Sequence, residues 1–557
     1  MLHPAVRPVT ERIKDGSVKP ISIVVVGGGT AGWITANVLH RRLGQAGSQP
    51  VQITLVESKR IGILGVGEAT VPTIRTLFRL LGIDEDEFIT ATSASFKHGI
   101  HYRDWAREPG SPDNTYFHPF DYTNILNFSP QLWWLAARSD QPGAQYAEDI
   151  GAQFTIAGSG RAPRSPGMPP YEGPHGYAYH LDAEQLAEFL ANRAIRRGVT
   201  RVFDTVIRAN QAEDGSVLSI ETEEHGPIEG DFFIDCTGFA GLLMSKTLGV
   251  GFTSYNDTLF CDRAVALRVP TETDETIRPF TTTTAKSSGW IWEIDLQSRR
   301  GTGYVYSSQH TSPEQAEQDL RRHVGPRSEG LAARHLKMRV GRSESFWQKN
   351  VAAIGLAGGF IEPLESTGIY LIETGALQLM DALQSVLGLA RGSGANADGT
   401  DTDGSVRARY LGALEPLAVS YNRRMTGLYE EIRDFVKVHY SLSQRRDSQF
   451  WRDNTDPKSS PASLLALMGQ WSLRPPQQFD FTTRLGLFNE HSWLYIMLGM
   501  GWRPKAVHAF QPFVSVEAGA RLMAEVKAEA ARSLAMLPGH RAYFSAKQPS
   551  QITAKAS

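Results

Sequence analysis

The chain has 557 residues, 41% apolar and 21% charged, so it exceeds one typical domain and has the material for a large buried core. A net charge of −2 gives no electrostatic footprint for nucleic acid or an acidic membrane surface, and no apolar run is long enough to span a bilayer. Only Cys236 and Cys261 occur, which excludes a disulfide framework and fits a reducing cytoplasm.

Residues 1–20 lack an apolar signal-like stretch and read as a flexible N-terminus. From Ile21 the pattern ISIVVVGGGTAGWITANVLHRRLG followed by VQITLVES predicts strand, glycine turn, helix and strand, a βαβ unit. Gly27, Gly29 and Gly32 form G-x-G-x-x-G between that strand and helix. The first glycine permits the turn, the second admits a pyrophosphate, and the third packs helix against strand, with Thr30 and Ala31 at the helix N-terminus facing the phosphates. Glu57 closes the second strand, where a carboxylate binds a ribose hydroxyl. The Pro/Gly-rich segment 158–176 is long enough to suggest a loop serving the active site. A helix is expected over 181–198, with Leu186, Phe189, Leu190 and Ile195 on its apolar face and Gly198 as its stop. Residues 215–238 alternate like a hairpin and end in a buried strand.

Two further strand-to-glycine turns, FIDCTGFAGLL (233–243) and VAAIGLAGGFIEP (351–363), accompany the single fingerprint. Three such turns suit an extended FAD better than NAD. From Ile369 onward long helices separated by proline-containing breaks are predicted, interrupted by a flexible polar insertion at 386–407, with a tail after residue 545. The fold class expected is α/β: an FAD-binding Rossmann-like module of the flavin monooxygenase type over 21–385, and a mostly helical substrate-binding region over 408–545.

GGGTAGW (27–33), GVGEATVP (65–72), GWIWEID (289–295), GTGYVYS (301–307), FIEPLESTGIY (360–370), IRDFVKVHY (432–440) and FWRDN (450–454), in this order, resemble the flavin-dependent tryptophan halogenase family. GWIWEI is similar to that family's W-x-W-x-I-P element, with Asp295 where the family has proline. The resemblance implies reduced FAD delivered by a separate NAD(P)H-dependent flavin reductase, oxidation of chloride or bromide to hypohalous acid, and transfer of the halogen to a small aromatic substrate. It implies further cofactor contacts at Glu68, Leu356 and Ile369. Lys97, in SASFKHG, matches the family lysine, which donates a hydrogen bond to the oxidant or carries the halogen as a haloamine. Glu365 matches the carboxylate that removes the ring proton, oriented by Ser366, and Glu362 is the less favoured acid of the same motif. Thr367 and Gly368 match the halide-binding positions, and Trp290 and Trp292 the wall that shields the flavin. His118 and Phe120 match ring-stacking residues, with Phe488 opposite. Thr483 falls where the family has a glutamate near the substrate ammonium, so a neutral indole is expected ahead of free tryptophan. No metal is expected, and a homodimer is left open. An aromatic hydroxylase of the same flavin fold and a flavin-binding protein without turnover are the alternatives.

Overall fold

The computed structural model describes residues 21–44, 51–62, 68–112, 114–122, 128–272, 274–392, 404–481, 486–505 and 507–547. The N-terminal expectation holds: β1 (Ile21–Val26), α1 (Thr30–Leu43) and β2 (Val51–Glu57) follow in order, and the two strands pair in parallel from Ile21↔Val51 to Val26↔Val56. Five strands of a six-stranded sheet run parallel, in the order Val351–Ala353, Phe232–Asp235, β1, β2 and Thr200–Phe203, with Trp347–Gln348 antiparallel at one edge. β1 is buried almost throughout, as a parallel strand covered on both faces must be.

A second, seven-stranded sheet carries the aromatic half of the molecule. Its order is Arg334–Lys337, Arg263–Pro270, Arg299–Tyr306, Gly289–Asp295, Thr281–Lys286, Gly99–Arg103 and Thr115–Pro119. The strand Ser95–Lys97 lies apart from it, paired antiparallel with Ala178–Leu181. One continuous apolar core joins both sheets to the long helices.

The predicted helix over 181–198 spans Ala183–Arg196 and starts at Asp182, whose carboxylate caps the N–H groups of Glu184 and Gln185. Leu186, Phe189 and Leu190 are buried, but Ile195 is 39% exposed and lies off the packed face. The hairpin is present as Val217–Thr222 against Gly226–Glu229, followed by the buried strand Phe232–Asp235. The proline breaks are less general than expected, since Pro416 sits inside the helix Gly404–Ser441. Helix Gly368–Gly392 and helix Gly404–Ser441 enter the predicted insertion from both sides, and its remainder, 393–403, lies outside the described residues, as do residues 1–20. The tail is shorter than expected, because helix His540–Lys547 docks behind the Lys97 strand, where His540 Nε2 accepts from Phe96 N–H at 3.0 Å.

The 158–176 segment is tied into the surrounding fold. Ala162 N–H donates to the Pro538 carbonyl, and both Arg164 and Tyr171 bind the buried carboxylate of Glu85. No helix among the described residues is long and apolar enough to cross a membrane.

Candidate active site

The three glycine turns converge at the carboxyl edge of the parallel sheet, because Val26, Asp235 and Ala353 are neighbouring ends in register. That edge is the ligand crevice of open α/β sheets. Gly27 adopts φ of 112°, and a Cβ there would lie 2.2 Å from the Cys236 carbonyl oxygen, so only glycine lets the first two turns touch. A Cβ at Gly32 would come within 1.9 Å of the Gly27 oxygen, the close helix-to-turn contact expected of the third glycine. Gly29 differs from both. It is the N-cap of α1 with no side-chain cap, and a Cβ there would meet nothing within 4 Å. Uncapped N–H groups at Thr30 and Ala31 therefore face open space of the kind a pyrophosphate fills.

Glu57 ends β2 as predicted. One carboxylate oxygen is bound by Arg201, a residue not singled out from sequence, and the other lies over Gly28. Leu356 is in the third turn, Glu68 is in a two-residue strand paired with Leu181, and Ile369 is 3% exposed in the first turn of helix Gly368–Gly392.

Lys97 and Glu365 meet at one buried turn. Lys97 is 0% exposed, and its Nζ donates to Ser366 Oγ at 2.8 Å and to the Thr70 carbonyl at 3.1 Å. Burial lowers the Lys97 ammonium to about 7, against the pull of the Glu365 charge. Glu365 ends the short turn Pro363–Glu365, and Ser366 follows at φ of 61°, a left-handed conformation unusual for serine. The expected partnership of Ser366 with Glu365 is corrected: the serine hydroxyl accepts from Lys97. Glu365 is held instead by hydrogen bonds from Tyr102 Oη and from His118 Nδ1 at 2.9 Å, while His439 Nε2 lies 3.0 Å away, close enough for charge but outside hydrogen-bond geometry. Burial alone would raise its carboxyl, but His118 and then His439 outweigh it and keep the group below the usual carboxylate range. His439 Nδ1 is in turn 2.8 Å from Tyr116 Oη. Next along the chain, Thr367 has a fully buried hydroxyl with no hydrogen-bond partner among the described residues. Gly368 starts the long helix, and a Cβ there would meet nothing within 4 Å. An orphaned hydroxyl beside an open helix N-terminus suits a small anion.

His118 is therefore engaged with Glu365, which the stacking expectation did not include. Its ring lies 6.3 Å from Phe488 and 5.9 Å from Phe435, and Phe488 stacks on Phe435 at 3.7 Å. Phe120 lies elsewhere, beneath the Lys97 ammonium at 5.1 Å from its ring centroid. Phe435 and His439 share one helix face at i, i+4, and both belong to IRDFVKVHY, a motif quoted from sequence whose side chains had no assigned role. Thr483 lies outside the described residues.

The family model for tryptophan halogenases matches residues 22–388 and 412–515. The chain belongs to the tryptophan halogenase family. It is 36% identical over 506 residues to a tryptophan 6-halogenase of Streptomyces toxytricini, covering 86% of this chain and 90% of that protein. The crystal structure of that relative superposes with a TM-score of 0.83 over 95% of this chain and all of the other. A 7-chloro-L-tryptophan 6-halogenase of Kutzneria is 35% identical, covering 94% and 98%. A flavin-dependent halogenase from Brevundimonas superposes at 0.79 with 34% identity, covering 95% and 99%. As a family member the protein is a flavin-dependent halogenating enzyme that uses FAD and halide, a reading favoured over the hydroxylase and the turnover-free alternatives.

In this halogenase the tryptophan element is a central strand, and both indoles point to one face. Trp290 is 1% and Trp292 5% exposed, with their rings 6.4 Å apart. Trp292 lies flat over Gly303 of the next strand, where a Cβ would be 2.1 Å from the ring. Asp295, in place of the family proline, has a structural explanation. Its carboxylate accepts from Arg278 at 2.7 and 2.9 Å and from Arg300 at 2.8 Å, a charged clasp at the end of the strand. Glu362 is separated from the Lys97 centre: it accepts from Trp290 and Tyr440, not from the lysine or Ser366.

Proposed function

We propose that the protein takes reduced FAD from a separate NAD(P)H-dependent flavin reductase and, with oxygen and chloride or bromide, places a halogen on an electron-rich aromatic ring, an indole first. The observation that carries this reading is one buried turn, 365–368, that combines an ionised carboxylate, a lysine-bound serine, an orphaned threonine hydroxyl and a helix N-terminus. Gly29, Thr30 and Ala31 would cradle the pyrophosphate and Glu57 the ribose, while Leu356 and Ile369 border the flavin region. Bound reduced FAD, with oxygen, supplies the two-electron oxidation that converts halide to hypohalous acid. Thr367 and Gly368 would hold the halide. Lys97, at about 7, has accessible charged and neutral forms near neutral pH, and so serves either as donor to the oxidant or as halogen carrier. Glu365, kept ionised by its donors, would take the ring proton. Trp290 and Trp292 would keep the substrate from the flavin.

For the substrate, Thr483 at the family's ammonium-binding position favours a ring without a charged tail, since a buried unpaired ammonium costs several kcal/mol. Substitution would then fall at C3 of indole, its most nucleophilic carbon. One observation favours free tryptophan instead. Glu431 Oε1 is buried without a hydrogen-bond partner and would lie 2.3 Å from a Cβ at Gly486, two residues before Phe488. Burial, and then the Asp434 charge, raise Glu431 to about 8, and an ammonium would satisfy it. Comparing kcat/KM for indole and tryptophan separates the readings. Preference for tryptophan by about tenfold, some 1.4 kcal/mol, or clean substitution on its benzene ring, would defeat the indole reading.

A further inference from the structure

Glu362 stands at the other end of the turn that carries Glu365, and its surroundings are unusual for a carboxylate. It is 0% exposed, yet no arginine, lysine or histidine among the described residues pairs with it. The nearest lysine on the facing helix, Lys437, gives its ammonium to the Asn454 carbonyl at 3.1 Å and to Ser459 Oγ at 2.9 Å. Glu362 Oε2 instead accepts two neutral donors, Trp290 Nε1 and Tyr440 Oη, each at 2.8 Å, and Oε1 accepts nothing. Burial raises its carboxyl to about 7, only partly offset by those two bonds, the more distant Lys437 charge and the neighbouring Cys261 thiol. A core without a task for this group would be better filled by an apolar side chain.

The arrangement around it has a plain mechanical content. His439 and Tyr440 are consecutive on helix Gly404–Ser441, and they hold the two ends of one turn: His439 lies against Glu365, and Tyr440 binds Glu362. Trp290 donates to the same Glu362 oxygen, Oε2, out of the strand Gly289–Asp295. The residue that follows this turn, Ser366, is in a left-handed conformation, which persists only where its surroundings over-determine it.

We propose that Glu362 is a positioning residue: by accepting from Tyr440 and Trp290 at once, it fixes the 363–368 turn relative to the tryptophan wall and so sets where Glu365 and Ser366 stand. This rests on the roles given above to Glu365 and Lys97. Its consequence is on coupling, because a turn displaced by about 1 Å costs on the order of 10²-fold in the step it serves while leaving the FAD cradle untouched.

The test uses the full-length enzyme with FAD, a flavin reductase, oxygen and bromide, reading halogenated product per flavin oxidised together with FAD affinity. Glu362→Leu, which removes the acceptor, should lower product per flavin by about tenfold to 10²-fold with FAD affinity unchanged. Glu362→Gln, which keeps an acceptor oxygen, should recover most of that loss. Tyr440→Phe and Trp290→Phe each remove one donor with little change in ring shape for the tyrosine, and each should show part of the same loss. A Glu362→Leu enzyme with parental coupling, or a Glu362→Gln enzyme as impaired as Glu362→Leu, overturns the proposal. If Glu362→Leu does not fold, parental coupling in both single-donor variants overturns it equally. A crystal structure of Tyr440→Phe reads the positioning whatever the reaction proves to be: a shifted Glu365 that has lost its 2.9 Å contact with His118 supports it, and an unmoved turn sinks it. Absence of halogenated product from the parental enzyme would instead strike the functional reading, leaving that crystallographic result to decide the positioning role.

Discussion

Replacing Lys97 by methionine should abolish halogenation and, separately, change how stability depends on pH. Lys97 is fully buried, and burial brings its ammonium from 10.5 to about 7. Between those values the unfolded chain holds a proton at this residue that the folded protein has released. Stability therefore rises with pH across that window, and below about pH 7 the folded protein carries the whole cost of the buried ammonium, ~5 kcal/mol. From pH 7 to pH 9 the parental protein should gain ~2–3 kcal/mol from this one group, and Lys97→Met should gain none of it. Other titrating groups, the similarly depressed Lys437 among them, are common to both proteins and cancel in the difference. Urea unfolding of the two FAD-free proteins at pH 7 and pH 9 gives the comparison. Parallel changes in the two proteins would refute the claim that Lys97 is a buried amine poised near neutrality, and with it the reason given for its reactivity.

Gly29→Val should weaken FAD binding by at least about tenfold in a fluorescence titration, because the new side chain enters the open space before the α1 N-terminus. Unchanged affinity would remove the cradle. Glu365→Gln should lower halogenation by about 10²- to 10⁴-fold while FAD binding persists; near-parental turnover would show that its charge takes no proton from the ring. Asp295→Asn should cost about 3 kcal/mol, seen as a lower Tm, because Arg278 and Arg300 lose their shared anion. Pairing with Arg278 and Arg300 outweighs burial and holds the Asp295 carboxyl below its usual range, so the contribution is present above about pH 4 and fades as pH falls through the folded value. An unchanged Tm at pH 7 would make the clasp incidental.

The parts of the molecule legible in the sequence are those whose chemistry is local. β1, its glycine turn and α1 follow from consecutive residues, and the turn needs glycine for reasons of φ and contact that a short motif records. Lys97, Glu365 and Thr367 were legible through motifs matched to a family, although nothing in their spacing brings Lys97 to Ser366 across 269 positions. The partners of Glu365 were harder. Tyr102, His118 and His439 come from two strands and a helix, and long-range hydrogen bonds leave no periodic trace. The i, i+4 pair Phe435 and His439 was the available signal, and a helical reading of IRDFVKVHY would have put both on one face. Ser366 was assigned to the wrong neighbour because adjacency in sequence suggested Glu365, whereas its left-handed backbone turns the hydroxyl to Lys97. The role of Asp295 was not legible because its partners, Arg278 and Arg300, lie outside its motif.

Mass spectrometry of indole incubated with the enzyme, FAD, a flavin reductase, NADH and oxygen tests the central claim most directly, run with bromide, with chloride and without halide. A monohalogenated product carrying the isotope pattern of the added halide is expected, absent without halide and absent with Lys97→Ala. A hydroxylated product formed equally well without halide, or halogenation that survives the loss of Lys97, would contradict it.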